Sequence, residues 1–155
     1  MTPEALVGHA RRKGALIATA ESCTGGLIAG AITDVPGSSD IFERGFVTYS
    51  NASKVQMLGV DQAVITEFGA VSEQVARAMA DGALMNSDAS LAVAVTGIAG
   101  PGGSEHKPEG RVCFALAING RETMAETVEF GAIGRANVRQ AAVAQALGLL
   151  AGALS

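Results

Sequence analysis

Residues 19–30 read TAESCTGGLIAG. ALIATA, residues 15–20, leads in as an apolar run of strand length, and GLIAGAIT, residues 26–33, leaves with the character of a helix. Ser22, Cys23 and Thr24 therefore stand on a strand-to-helix turn, with Gly25 and Gly26 directly behind them. In open α/β sheets, ligands bind beyond the carboxyl ends of the strands. Three side chains with nucleophilic atoms crowd that position here.

Working outward, Thr2 and Pro3 read as the cap and first residue of a helix. Leu6, Val7 and Ala10 recur along it, and Gly14 stops it after Arg11, Arg12 and Lys13. Downstream, DVPGSSD (residues 34–40) is a loop, and RGFVTYS (residues 44–50) is a strand. NASKVQMLGV (residues 51–60) reads as a helix capped by Asn51. Ser72 caps another helix, with Val75, Ala76, Met79 and Ala83 on one face. Residues 91–95 form a buried-type strand that runs into Thr96 and a glycine-rich loop. Asn119 and Gly120 sit between two strand-like runs and predict a hairpin, hence an antiparallel strand. The last helix covers residues 135–154, with Val143, Leu147, Leu150 and Leu154 on one stripe. The order α-β-α-β-α-α-β-β-β-α predicts a three-layer α/β/α sandwich with a mixed, mostly parallel sheet of about five strands.

Length and composition narrow the function. The 155 residues fit one domain over residues 1–155, since domains commonly run to roughly 100–200 residues. The chain is 48% hydrophobic and 17% charged, too apolar for a disordered segment. Abundant Ala and Gly favour close helix–sheet packing. The net charge of −4, with one short basic cluster, argues against a nucleic-acid partner. Cys23, Cys113, His9 and His106 form no ligand pattern, so neither a metal nor another cofactor is expected. No secretory leader and no membrane span are read, which makes a cytoplasmic protein the expectation. A homo-oligomer is expected, a dimer before other states.

Three polar clusters follow three different strands: Ser22-Cys23-Thr24, Tyr49-Ser50-Asn51 and Thr96-Gly97. The fold is able to gather them at one sheet edge. Gly25 and Gly26 in one turn, and Gly97 and Gly100 in another, let backbone N–H groups approach a ligand. Neither turn is a P-loop or a dinucleotide fingerprint. The nucleophile is Ser22 or Cys23, because neighbours on a strand point to opposite faces. No Ser-His-Asp set is present, and Lys54 is the candidate base if its pKa is lowered. Thr24 is expected to cap the next helix, with Cys23 packed beneath. Arg135 and Arg139, four apart at a helix start, oppose the macrodipole and point to an anion.

Taken together, AESCTGGLIAGAIT, VTYSNASKVQMLGV, GAVSEQVARAMADGA, VAVTGIAGPGG with KPEGRV, and RANVRQAAV resemble the C-terminal domain of the competence-damage protein CinA. The resemblance covers about residues 5–150. It implies a metal-free hydrolase that converts nicotinamide mononucleotide and water to nicotinic acid mononucleotide and ammonia, in pyridine nucleotide salvage. It implies Ser22 as nucleophile and Lys54 as base. Tyr49, Thr96 and an arginine of the last helix carry over as active-site residues. Thr24, Gly25, Gly26, Gly97, Gly100, Arg135 and Arg139 are the expected substrate contacts. Two departures stand out: Glu109, where relatives often have Val, and Gly134, where they often have a polar residue. The competing readings are a nucleotide-binding module without chemistry and a protein-interaction domain.

Overall fold

The computed structural model describes residues 2–155. Five strands form one sheet in the order β2-β1-β3-β4-β5: β1 Ile17–Glu21, β2 Phe42–Val47, β3 Leu91–Gly97, β4 Arg111–Ile118 and β5 Met124–Glu129. β1 pairs in parallel with β2 and β3, while β4 is antiparallel to both of its neighbours. Four strands thus run one way and β4 runs against them. The Asn119–Gly120 turn joins β4 to β5, with Gly120 at φ 80°.

Six helices cover the two faces: α1 Pro3–Lys13, α2 Leu27–Thr33, α3 Asn51–Leu58, α4 Gln62–Phe68, α5 Glu73–Met85 and α6 Arg135–Leu154. Strand alternation divides the core. Ile17, Val93, Val95, Phe114 and Leu116 face α1, α2 and α6. Ala18, Ala20, Ala92, Ala94, Ala115 and Ala117 face the opposite way, towards α3, α4 and α5. The alanine-paved face lets α5 lie close. On the other side of α5, a Cβ on Gly82 would stand 2.0 Å from the carbonyl oxygen of Leu58, so α3 and α5 touch backbone to side-chain-free backbone. Among the described residues no helix is long and apolar enough to cross a membrane.

Local signals account for most boundaries. Thr2 accepts from Ala5 N–H and Pro3 opens α1, while Gly14 closes it at φ 65°. Ser72 accepts from Val75 N–H at the start of α5. Four expectations need correction. β2 ends at Val47, not Ser50, because the edge strand peels away after Thr48 N–H donates to the Glu21 carbonyl at 2.9 Å. Ser50 caps α3 in place of Asn51, accepting from Ser53 N–H. α4 is an additional helix, capped by Asp61 on Ala63 N–H. The loop expected over residues 34–40 holds, with a short 3₁₀ turn, Ser38–Asp40, inside it.

The fourth correction concerns α2. Thr24 does not cap it. Glu21, fully buried at the end of β1, does so from a distance. Its carboxylate accepts from Ile28 N–H at 2.8 Å, Ala29 N–H at 3.0 Å and the Thr24 hydroxyl at 2.6 Å. One side chain thereby ties strand, turn and helix together. Glu21→Ala should lower unfolding stability by about 3 kcal/mol, since buried donors left unpaired cost roughly 1–3 kcal/mol each. Glu21→Gln, which keeps one acceptor oxygen, should lose about half as much. Urea unfolding with circular dichroism measures both, and an alanine loss below about 1 kcal/mol would show that water replaces the carboxylate.

Candidate active site

The carboxyl ends of β1, β2 and β3 meet at one edge, on the line where the connections leave for opposite faces. Ser22 N–H donates to the Val95 carbonyl at 2.9 Å, which extends the β1–β3 pairing by one residue. Ser22 is thereby fixed beside Thr96 and Gly97. A cavity of about 370 Å³ opens above this edge. Ser22, Lys54, Tyr49, Thr96 and Arg135 line it, and residues 97–105 form one wall. The volume suits a small organic ligand.

Lys54 sits on the inward face of α3 and is only 1% exposed. Its Nζ lies 3.1 Å from Ser22 Oγ. It donates to the Thr48 carbonyl at 3.1 Å and reaches the Tyr49 carbonyl at 3.5 Å. Burial lowers its pKa from the ordinary 10.5, with Cys23 and Glu105 pushing partly back. Two carbonyl oxygens and one hydroxyl oxygen surround the amine, and no carboxylate among the described residues hydrogen-bonds to it.

Cys23 is buried, and its pKa is raised to about 11, chiefly by burial. At neutral pH it is a thiol, which is the poor nucleophile of the pair. Its Sγ also packs where a Cβ on Gly97 would stand, 3.1 Å away, so the close approach of these two turns needs glycine there.

The two arginines differ. Arg135 lines the cavity, donating to the Gly100 carbonyl at 2.7 Å and to the Tyr49 hydroxyl at 3.0 Å. Two of its five N–H donors are engaged, and the others remain for a ligand. Arg139 lies outside the cavity lining and donates to the carbonyls of Cys23 at 3.1 Å and Thr24 at 3.3 Å. Carbonyl oxygens thus take up much of the positive charge that the sequence sets at the start of α6. Thr24, Gly25 and Gly26 also lie outside the lining: Thr24 is buried, and the glycines turn the chain from β1 into α2. Gly97 and Gly100 are in the wall. Thr96 is 1% exposed, and its hydroxyl donates to the Ala70 carbonyl at 2.8 Å, holding the opposite wall.

Asn51, part of the second polar cluster, lines the cavity from the first turn of α3. Two site features escape a reading by spacing. Lys107 reaches across from the 97–110 loop to the Phe68 carbonyl at 2.7 Å and the Val71 carbonyl at 2.5 Å. Glu105 reaches the rim on a turn where it and His106 both adopt positive φ, 51° and 64°. Among the described residues no three His, Cys, Asp or Glu side chains gather as a metal site.

The family model described as the CinA C-terminal domain matches residues 2–154. A putative competence-damage inducible protein of Symbiobacterium thermophilum is 52% identical over 157 residues, covering 96% of this chain but 37% of that protein. The chain spans about a third of the length of such CinA-like relatives. A shorter relative is the Escherichia coli K12 protein named nicotinamide-nucleotide amidohydrolase PncC. It is 52% identical over 143 residues, covering 91% of this chain and 86% of that one. The crystal structure of the competence/damage inducible protein CihA from Agrobacterium tumefaciens superposes with a TM-score of 0.91 at 49% identity, covering 98% and 94% of the two chains. By sequence over nearly its whole length and by fold, the chain belongs to the CinA C-terminal domain family.

Proposed function

We propose that this chain is an amidohydrolase that converts nicotinamide mononucleotide and water to nicotinic acid mononucleotide and ammonia, in pyridine nucleotide salvage. The observation that carries this reading is the 3.1 Å separation of Lys54 Nζ and Ser22 Oγ at the floor of a ligand-sized cavity. The name of the E. coli relative supports the choice of substrate.

Ser22 Oγ attacks the carboxamide carbon as its proton passes to the neutral Lys54 amine. The oxyanion falls to backbone N–H groups of the turn that follows Ser22. The C–N bond then breaks as the Lys54 ammonium returns the proton to the departing nitrogen, directly or through the Tyr49 hydroxyl. Ammonia leaves, and the acyl group remains as an ester on Ser22. Water next loses a proton to Lys54, attacks the ester carbonyl and frees the acid, and Ser22 regains its proton. Thr96 keeps the Ala70 wall in position. Arg135 takes the phosphate, for which a planar fork of donors suits the dianion. Arg139 holds the Ser22 turn from behind.

Ser22→Ala should reduce ammonia release by at least about 1,000-fold while leaving the circular dichroism spectrum unchanged. A parent-like rate would eliminate the covalent route. Lys54→Arg should be almost as inactive, because a guanidinium keeps the charge but stays protonated. Near-parent activity there would mean that the residue supplies charge only. The pH dependence has a definite sign. The neutral amine is the active form and burial lowers its pKa, so the rate with bound substrate should rise with pH and level off below the ordinary lysine value of 10.5. A rate that falls through this range, or a profile unchanged in Lys54→Arg, would count against the assignment.

A further inference from the structure

The wall of the cavity between Ala99 and Gly103 has almost no side chains of its own. Gly100 and Gly102 adopt φ of 88° and 80°, and Gly103 follows. Glycine arms of this kind have the most backbone freedom to lose, so something outside them has to fix their path. The base of the loop is held by Ile98 N–H on the Arg111 carbonyl at 2.9 Å and by Gly110 N–H on the Ile98 carbonyl at 2.7 Å. Its tip is held by the Ser104–Lys107 bridge and by Lys107 Nζ on the α4–α5 connection. The glycine arm has a third hold, which comes from Glu109.

The Glu109 carboxylate accepts from Gly102 N–H at 2.5 Å. It is also seated against Gly100: a Cβ there would stand 2.6 Å from the Glu109 carboxyl carbon. Glu109 is not among the cavity-lining residues, whereas Gly100, Gly102 and Gly103 are. The carboxylate therefore holds the wall without lining the cavity itself. The same Gly100 offers its carbonyl to Arg135, whose second branch meets Tyr49. A continuous chain of contacts runs from Glu109 through Gly102 and Gly100 to the guanidinium.

We infer that Glu109 is a positioning residue for the anion-binding end of the cavity, setting the glycine wall that in turn orients Arg135. The inference rests on the substrate reading above, in which Arg135 takes the phosphate. Its effect falls on binding of the phosphate and not on the bond-breaking step, because Ser22 and Lys54 are held by other contacts.

The test uses the full chain with nicotinamide mononucleotide and with its phosphate-free riboside. Glu109→Ala should raise KM for the nucleotide about five- to tenfold and leave kcat within about twofold. KM for the riboside should move less than about twofold. Glu109→Gln, which keeps an acceptor for Gly102 N–H, should restore the nucleotide KM to near the parent value. A general loosening of the site would instead raise both KM values together, and an effect on kcat alone would place Glu109 in the chemistry; either overturns the inference. Amide hydrogen exchange at Gly102 reads the contact itself. Exchange should quicken in Glu109→Ala and not in Glu109→Gln, and unchanged exchange in the alanine variant also overturns it. If the parent chain releases no ammonia from the nucleotide, the substrate reading fails first and takes the kinetic claim with it. The exchange data then show whether the Glu109 contact was real.

Discussion

Removing the Lys54 amine from water is the constraint around which the site is organised. An ammonium loses several kcal/mol of solvation when buried, and proteins avoid that loss by pairing the charge or by favouring the neutral form. No carboxylate hydrogen-bonds to this amine; its partners are two carbonyl oxygens and a hydroxyl. Burial without a paired anion lowers the pKa of the amine. It also dictates where the chain goes. Thr48 and Tyr49 have to leave the sheet so that their carbonyls face inward, and α3 has to start immediately so that Lys54 turns back under them.

The same edge shows how an anion is buried a few ångströms along the chain. Glu21 stands next to Ser22, yet its carboxylate points to the other face and is satisfied by the first turn of α2 and by Thr24. Two adjacent residues of one strand thus serve opposite layers. Glu21 anchors the helix that carries the chain away, and Ser22 faces the reactive cavity. Alternation along the strand keeps the two chemistries apart. Cys23 then closes the turn as a buried thiol under the glycine wall.

Much of the fold was legible because its signals are local. Thr2, Pro3 and Gly14 bound α1, Ser72 opens α5, and the stripe from Val143 to Leu154 sets the buried face of α6. The Asn119–Gly120 turn announces the one strand that runs against the others. The misses are of another kind. α4 is seven residues long, and only Ile65 of it is buried, so its periodic signal is faint. Tyr49 and Thr48 have strand-forming side chains, yet they lie beyond the end of β2 with their carbonyls towards Lys54. The site divides in the same way. Ser22 and Lys54 are readable as residue types at a strand end and on a nearby helix. The separate tasks of Arg135 and Arg139 depend on which carbonyls lie opposite, and the hold of Glu109 on Gly102 depends on a loop's return path. Spacing along α6 contains neither fact.

The grip of Arg139 on the carbonyls of Cys23 and Thr24 has a consequence for biosynthesis. The two partners are 116 and 115 residues apart in sequence. A ribosome delivers the Ser22 turn early and the residue that braces it much later, at roughly 5–20 residues per second. During that interval β1 and α2 can pack against α1, but the turn lacks its rear support and Arg135 has not yet reached the cavity. The braced position of Ser22 is therefore a property of the completed chain. The serine exists from the first moments of synthesis, and its turn is braced only when α6 docks.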